Sequence, residues 1–330
     1  MKGNPLVHLT KPRYAARLNA FKMGIEGKPT VEDMIRRAST VVGIDAADLN
    51  FPDHFEHNSP SELSHLMKDC GISLNGLAMR YYTDPGFRLG AFTNPSKHVR
   101  GAALDMTKRG IDALAEMGGK TMTLWMGQDG VDYSFQGDYK KMWDTTIECL
   151  CSVADHNTDI DIAIEYKPNE PRAYALIGDI GTTLLAISEA DRQNIGVTLD
   201  FAHVLYADEI PAHTAHLIAR HSRLMGVHLN DGYGKRDDGL MVGSVHPIQT
   251  IELFVELAKM NYDGVIYFDT FPDHGGLDPC AEAANNVLTT DRLRLIAERL
   301  LHDPVLVAAI QKQDAAASMS LLTQVLYGGK

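Results

Sequence analysis

The chain has 330 residues, of which 45% are hydrophobic and 22% are charged, and its formal net charge is −12. This composition is that of an ordinary globular protein and excludes a disordered chain. The acidic balance argues against non-specific binding to nucleic acid or to an anionic membrane surface, because both require clustered Lys and Arg.

Cysteines and the amino terminus indicate the cell compartment. Cys70, Cys149, Cys151 and Cys280 form no CxxC pair, which predicts reduced thiols rather than metal ligands. Residues 1–13 contain no apolar core of a secretory signal. No apolar run approaches the roughly 20 residues that a membrane-spanning helix needs. We therefore expect a cytoplasmic protein.

Eight short strand patterns alternate with longer helical patterns along the chain. The predicted strands are residues 15–21, 46–51, 73–79, 121–126, 160–166, 196–201, 224–230 and 264–270. Between them, apolar residues recur with the 3.6-residue helical period, for example in residues 99–117, 139–154 and 247–260. Eight such units predict an α/β fold, a closed (β/α)8 TIM barrel over residues 1–300.

The sequence remains apolar and helical beyond what the eighth unit requires. Residues 305–326 carry this pattern, which predicts a helical carboxyl-terminal extension over residues 301–330. Such an extension is either an arm that packs on a partner subunit or a helix folded back on its own barrel. We expect a homo-oligomer, either a dimer or a tetramer.

Four side chains that commonly bind metals stand at the carboxyl ends of four successive predicted strands. They are Glu165, Asp200, His228 and Asp269. Because the carboxyl ends of barrel strands meet on one face, these side chains are predicted to converge. Three carboxylates and one imidazole favour Mn²⁺, Mg²⁺ or Co²⁺ over Zn²⁺. The alternative is that each acid caps the helix after its strand.

Further ligand types lie close to this quartet in the sequence. His203 follows Asp200 by three residues, and Asp237 and Asp238 lie on the glycine-containing loop after His228. They predict a second, looser cation site that shares Asp200. In the alternative interpretation, Asp237 and Asp238 are solvated loop charges.

Lys167 is the one cation in this predicted cluster. It lies two residues after Glu165, so the two side chains share a face of the strand. A lysine directed into a barrel mouth must find charge partners or shift its pKa. There it is suited to stabilise an alkoxide or to polarise a carbonyl. The alternative is a lysine that simply pairs with Glu170 or Asp200.

These motifs resemble those of a known group of enzymes. The segment from Glu165 to Arg172, Glu-Tyr-Lys-Pro-Asn-Glu-Pro-Arg, is similar to the strand-five signature of the xylose isomerases. The run from Asp200 to His203 resembles their acid-x-x-His pair. His228 matches the strand-seven position, where xylose isomerases carry Asp and the related L-rhamnose isomerases carry His. From roughly strand two to strand eight, the chain thus resembles the xylose isomerase-like TIM-barrel superfamily.

The resemblance extends to residues that would contact a sugar. The run that begins at Trp125 resembles the tryptophan-glycine loop that walls the sugar site, so Trp125 would stack against sugar carbons. His54, at the end of strand two, stands where the family keeps a histidine that binds the ring oxygen and assists ring opening. A capping or loop role is the other interpretation of His54. Asn75, Met79 and Arg80, toward the end of strand three, are expected to line the pocket, and a solvated side chain is the other interpretation of Arg80.

The resemblance implies a divalent-metal-dependent aldose-ketose isomerase that moves hydrogen between C1 and C2 of an unphosphorylated sugar. The implied ligands are Glu165, Asp200, His228 and Asp269 for a structural cation, and His203 and Asp237 for a mobile catalytic cation. Lys167 would contact the carbonyl-side oxygen, and Trp125, His203 and Asn75 would contact the sugar. The family pattern Asp-x-Asp-Leu is replaced here by the run from Asp237 to Leu240, so a weaker second cation or a different water shell is expected.

Mn²⁺ is the expected metal, with Mg²⁺ or Co²⁺ as alternatives. No nucleotide cofactor is expected, because neither GxGxxG after a strand nor GxxxxGKS/T occurs.

Four other functions stay open. A ketose 3-epimerase would use Glu165 and Asp269 as acid-base carboxylates, and a sugar-acid dehydratase or lyase would use the same barrel. An endonuclease IV-type nuclease expects more histidine ligands and a basic rim. A sugar-binding protein would keep the pocket without needing the quartet.

Overall fold

Residues 12–328 are described by a computed structural model of the chain. The expectation that no secretory signal is present rests on residues 1–13, of which 1–11 lie outside this range. Within the range, no helix is long and apolar enough to cross a membrane. The four cysteines are free, as predicted.

Eight parallel strands close into a barrel in which each strand pairs with its neighbours in the sequence. The strands are β1 (Tyr14–Arg17), β2 (Ile44–Phe51), β3 (Ser73–Met79), β4 (Thr121–Leu124), β5 (Asp161–Ile164), β6 (Ile195–Asp200), β7 (Leu224–Leu229) and β8 (Ile266–Phe268). The barrel closes where β1 pairs with β8, with Ala15 opposite Tyr267. The predicted (β/α)8 barrel is therefore confirmed.

Helices surround the barrel and continue after it. They are α1 (Val31–Ala38), α2 (Pro60–Asp69), α3 (Lys97–Glu116), α4 (Tyr139–Ala154), α5 (Ile180–Ala190), α6 (Phe201–Tyr206), α7 (Pro211–His221), α8 (Pro247–Lys259), α9 (Pro272–Gly275), α10 (Pro279–Leu301), α11 (Pro304–Gln311) and α12 (Ala315–Tyr327). Gly130–Val131 and Tyr174–Ala175 form a small antiparallel sheet over the barrel mouth loops. Helix α2 begins at a reciprocal capping box, which Ser59 and Glu62 form around Pro60.

Two predicted segments differ from the structure. The predicted first strand ends instead at Arg17, and the chain enters a 3-10 helix over Leu18–Lys22. Leu18 and Phe21 are buried in that turn, and a short apolar run does not distinguish a strand from a buried helical turn. The predicted single helical run of residues 305–326 is divided into α11 and α12 at Gln313, whose φ of 52° is left-handed.

The carboxyl-terminal extension is helical, as predicted. Helix α10 packs against α8, whereas α11 and α12 pack mainly against each other. No residue of α12 is buried. The domain boundary at residue 300 and the role of the extension as an arm between subunits stay predictions.

Strand alternation positions the functional side chains inside the barrel. Tyr267 of β8 packs with Ala15 and Ala46 in a small cluster that is separate from the main core. Asp269 lies two residues beyond Tyr267 and therefore faces the same side, at the mouth. The large apolar core lies between the strands and the surrounding helices.

Candidate active site at the mouth of the barrel

A cavity of about 320 Å³ opens at the carboxyl ends of the strands. Its ionisable lining is rich in charge of both signs. The acids are Asp48, Glu165, Glu170, Asp237 and Asp269, and the Lys and Arg residues are Arg17, Arg80 and Lys167. In barrels of this type, side chains at this end carry the chemistry.

The four predicted metal ligands lie together at the base of this cavity, which Glu165, His228 and Asp269 line and behind which Asp200 is fully buried. Glu165, Asp200, His228 and Asp269 each offer one ligand atom, and these atoms all lie within 4.8 Å of one another. The first three side chains are buried and Asp269 is partly buried. They come from the ends of β5, β6, β7 and β8, which the closed barrel places side by side.

Hydrogen bonds hold this quartet in place. His228 and Glu165 are joined through Nδ1 and Oε1 at 3.1 Å. The side-chain amide of Asn230 donates to both carboxylate oxygens of Asp200 at 3.2 Å. The ring of His228 lies 4.5 Å from that of Tyr267, which supports it from below.

The pKa values of the three carboxylates in the quartet shift in opposite directions. Burial, together with the negative charges of Asp237 and Glu165, raises the pKa of Asp200 to about 7 against the opposing charge of His203. Burial also raises the pKa of Asp269. The pKa of Glu165 would rise with burial, but the charge and hydrogen bond of His228 lower it to about 2. Such crowding of buried carboxylates is what a divalent cation relieves.

The donor set fits a divalent metal. Three carboxylates and one imidazole are ligands that suit Mn²⁺, Mg²⁺ or Co²⁺. The alternative of helix capping applies to one of the four, since Asp200 also accepts a hydrogen bond from the His203 backbone N–H at 3.0 Å as the N-cap of α6. Capping uses one oxygen lone pair, so it does not prevent ligation. The cluster is thus a possible divalent-metal site.

Lys167 reaches the cavity beside the quartet. Its Nζ lies 3.1 Å from Asp237 Oδ2 and 3.0 Å from Glu170 Oε2, and 5.2 Å from the centroid of the Trp125 ring. Burial by itself would lower the pKa of Lys167, but the two carboxylates raise it. The side chain is therefore an ammonium that points into the cavity. The alternative interpretation, in which Lys167 pairs with Glu170, is also correct, because the ammonium lines the cavity and contacts Glu170 at the same time.

His203 and Asp237 form a second pair at the edge of the quartet. Nε2 of His203 lies 3.1 Å from Asp237 Oδ2, and Nδ1 lies 3.8 Å from Glu165 and 4.0 Å from Asp200. Within residues 12–328, neither Nδ1 of His203 nor Oδ1 of Asp237 has a hydrogen-bond partner, although both atoms are buried. An imidazole nitrogen and a carboxylate oxygen are both metal-ligand types, and Nδ1 of His203 faces Glu165 and Asp200 of the quartet.

The interpretation of Asp237 and Asp238 as solvated loop charges is wrong. Both side chains are only 9% exposed. Asp238 accepts hydrogen bonds from the Tyr233 backbone N–H and from Arg236 Nε, each at 2.8 Å. The loop is folded back over α6, which the sequence pattern of glycines and charges did not indicate.

Outside the quartet, two predicted site residues, His54 and Asn75, do not line the cavity. His54 is buried below it, where Nδ1 accepts from the Asn50 backbone N–H at 3.1 Å and Nε2 lies 3.3 Å from Asn19 Oδ1. Burial, with the positive charges of Arg80 and Lys22, lowers the pKa of His54 to about 3. The chain turns into a 3-10 helix after β2, which directs the ring inward.

Asn75 has a supporting position. Its amide donates to Asp48 Oδ1 at 2.6 Å, and of the described residues it is Asp48, rather than Asn75, that lines the cavity. Asp48 was missed because it lies within the mostly buried β2, three residues before the end of that strand at Phe51. The alternation of β2 places Asp48 on the same face as Ala46, which was the available signal.

Arg17 is another cavity residue that sequence reasoning missed. Its Nη1 donates to Asp273 Oδ1 at 2.7 Å, and its Nε lies 3.9 Å from Asp269 Oδ1. Arg17 ends β1 in the structure, whereas the predicted strand continued to Phe21. A correct strand end would have placed this charge at the mouth.

The barrel and the cluster at its mouth define a (β/α)8 protein with a candidate divalent-metal site. A family model described as xylose isomerase-like TIM barrel matches residues 35–292. The chain therefore belongs to the xylose isomerase-like TIM barrel family.

Two curated relatives are xylose isomerases. The protein from Thermus thermophilus is 30% identical over 209 residues, which cover 62% of this chain and 54% of that protein, so this match spans about half the relative's length. The protein from Thermus caldophilus is 25% identical over an alignment of 338 positions, which covers 93% of this chain and 87% of that protein. Both matches agree with the family assignment.

A solved structure of an L-ribulose 3-epimerase has the same fold. It superposes with a TM-score of 0.69, and the match covers 89% of this chain and 99% of that chain. The sequence identity is 14%, so this likeness shows the fold alone.

Proposed function

We propose that this protein is a divalent-metal-dependent isomerase that interconverts an unphosphorylated aldose and its ketose. One observation carries the proposal: an ammonium, that of Lys167, lines the same cavity as Glu165, His228 and Asp269 of a compact quartet of metal-type ligands. A sugar carbonyl needs a positive group at its oxygen while hydrogen moves between C1 and C2. The two curated relatives named xylose isomerase support the same reaction class.

The proposed ligands are those that lie together in the structure. Glu165, Asp200, His228 and Asp269 would hold one cation, and His203 with Asp237 would help to hold another. When bound, a divalent cation supplies Lewis-acid polarisation of the sugar oxygens and lowers the pKa of a hydroxyl. Mn²⁺ is the first choice for this oxygen-rich set, followed by Mg²⁺ and Co²⁺.

Protein side chains would position the sugar for the reaction. In the direction from aldose to ketose, the C2–H bond breaks, a C1–H bond forms and the O2 proton moves to O1. Lys167 would donate a hydrogen bond to the carbonyl oxygen O1 and stabilise the negative charge that develops there. Trp125, whose ring lies 5.2 Å from that ammonium, would cover the sugar carbons and exclude water.

A ketose 3-epimerase is the second candidate. Glu165 and Asp269 lie in one cluster, and their pKa values shift in opposite directions, downward for Glu165 and upward for Asp269. Two carboxylates with opposed pKa shifts suit a reaction in which one removes a proton and the other returns it. In that reaction, Lys167 has no direct task.

Isomerisation in D₂O separates these two candidates. A panel of free aldoses and ketoses would be incubated with the Mn²⁺-loaded protein in D₂O, and the products analysed by NMR. Transfer of hydrogen directly between C1 and C2 leaves little deuterium in the product, which is the result we expect. Extensive deuterium at C3 of a ketose would assign the epimerase reaction instead, and deuterium at C1 or C2 would replace the hydride shift by proton exchange.

A further inference from the structure

Unlike Lys167 and Arg17, Arg80 forms no ion pair with a carboxylate of the described residues. Lys167 is paired with Asp237 and Glu170, and Arg17 is paired with Asp273. Among residues 12–328, the only hydrogen-bond acceptor that Arg80 meets through its side chain is the hydroxyl of Tyr82, at 3.1 Å from Nη1. Arg80 therefore lines the cavity without an ion pair to any described residue, and its more distant countercharges are Glu165 and Asp53.

The unused donors of Arg80 form a planar fork. Its guanidinium lies 5.5 Å from the centroid of the Tyr82 ring, which fixes one face by a cation–π contact. Nε is buried and has no hydrogen-bond partner within the described part of the chain. A guanidinium has five N–H donors, and a buried donor without a partner is costly unless a ligand satisfies it.

The position of Arg80 places this fork opposite the metal-type ligands. Arg80 follows β3, and in a closed barrel of eight strands β3 lies across from β7, which carries His228. The nearby lining residues Ala78, Met79, Tyr82 and Trp125 are all uncharged. A sugar whose reacting carbons lie at the quartet would extend its far end toward Arg80.

We propose that Arg80 binds a carboxylate at the end of the sugar remote from the carbonyl, so that the substrate is an acidic sugar. This proposal rests on the proposed function, because it places the reacting carbons at the quartet. Arg pairs with a carboxylate through two parallel charge-assisted hydrogen bonds, which its free edge is built to donate. A phosphate dianion would need further cationic or backbone donors, whereas the remaining Lys and Arg of the cavity are already paired.

Binding and turnover of matched sugars test the proposal. The Mn²⁺-loaded protein would be titrated calorimetrically, and assayed, with glucose, glucuronate and glucose 6-phosphate, and with the same three compounds of the galactose series. We expect at least one uronate to bind about 10- to 100-fold more tightly than its neutral parent. No uronate preference in either series, or tighter binding of the phosphate, would overturn the proposal.

Substitutions at Arg80 then locate the preference. Arg80→Met should bring the ratio of uronate to neutral-sugar affinity close to one, and Arg80→Lys should restore only part of it, because lysine keeps the charge but not the fork. Arg88→Met is the matched control, since Arg88 is an exposed arginine in the loop after β3 that does not line the cavity. A preference that survives Arg80→Met would assign carboxylate binding to another group.

The two proposals fail in distinguishable ways. If uronates bind with an Arg80-dependent preference but no sugar is isomerised, the isomerase function fails and the carboxylate site stands. If neutral sugars are isomerised and no uronate is preferred, the isomerase function stands and the role of Arg80 is overturned.

Discussion

Lys167 and Asp237 are 70 positions apart in the chain, and Nζ of the lysine donates a hydrogen bond to Oδ2 of the aspartate at 3.1 Å. The same oxygen lies 3.1 Å from Nε2 of His203. Asp237 therefore connects the loops after β5, β6 and β7 at one point. It holds the ammonium of Lys167 beside the quartet with its charge intact.

Replacing Lys167 with Met should lower kcat by roughly 10²- to 10³-fold if the ammonium stabilises charge in the transition state. Metal content, measured by atomic emission, should be unchanged, because Lys167 is not a proposed ligand and Asp237 keeps its bond to His203. Lys235→Met, at an exposed lysine of the β7 loop, is the control. A rate within a few-fold of the parent protein would leave Lys167 with only its pairing to Asp237 and Glu170.

Removal of divalent metal should abolish turnover. Chelation with EDTA followed by desalting should give inactive protein, and Mn²⁺ or Co²⁺ should restore activity better than Ca²⁺, because smaller ions suit a carboxylate and imidazole cage that polarises a carbonyl. The same addition should raise the thermal unfolding midpoint, since a ligand at about 100 times its Kd stabilises the folded state by about 2.7 kcal/mol. Full activity of thoroughly stripped protein would contradict the metal-dependent mechanism.

Asp200→Asn should weaken Mn²⁺ binding by about 100-fold or more, because it removes a charge from the centre of the quartet. The amide oxygen still accepts from the His203 backbone N–H, so α6 keeps its cap. Equilibrium dialysis would measure the affinity. Asp238 is an unsuitable control, because its buried carboxylate holds the loop together.

Asp208→Asn provides the matched comparison. Asp208 is exposed, and its φ of 58° is a conformation that asparagine adopts readily. The Mn²⁺ affinity of the Asp208→Asn variant should equal that of the parent protein. Equal losses in the two variants would indicate that the substitutions act through general destabilisation rather than through ligation.

His54 should make the protein sensitive to acid. Its pKa is about 3 in the folded state, below the ordinary value of 6.5, so the unfolded chain binds the extra proton. Its stabilising contribution is complete above about pH 6.5 and is lost as the pH falls toward 3, with an upper bound of about 2 kcal/mol lost by pH 5. Urea unfolding at pH 7 and pH 5, with chelator present, would measure this loss.

His54→Asn should reduce the pH dependence of the free energy of unfolding. Asparagine places an acceptor near the position of Nδ1, so the Asn50 backbone N–H keeps a partner while the titrating group is removed. The variant should be less stable at pH 7 but should lose less stability between pH 7 and pH 5 than the parent protein. Equal losses would mean that other groups cause the acid sensitivity.

The metal-type quartet illustrates what could be read from the sequence. Glu165, Asp200, His228 and Asp269 each end a strand, and the barrel brings strand ends together whatever the loops do. Lys167 followed from the two-residue period of the same strand. These inferences depend on local periodicity and on the repeated β/α units of the fold, and both can be recognised in the sequence.

The positions of side chains on loops could not be predicted in this way. His54 was expected at the pocket, but the 3-10 helix after β2 directs its ring into the interior. Arg17 was hidden by a wrong strand end. Arg80 was expected either to line the pocket or to be solvated, and it lines the cavity. Their positions depend on how each loop packs on its neighbours, and such packing joins residues far apart in the chain.

The amino-acid sequence by itself determined the (β/α)8 barrel, the helical extension and the strand ends at which the candidate ligands stand. Repeated apolar periods specify the elements, and burial of their apolar faces allows few arrangements other than a closed barrel. Only the tertiary structure decided that Asp237 folds back to Lys167 and His203 and that Asp48 and Arg17 line the cavity. It also decided that Arg80 forms no ion pair with a carboxylate of residues 12–328. The reason is that these contacts connect separate loops, whose paths are set by non-local packing rather than by the pattern within any one segment.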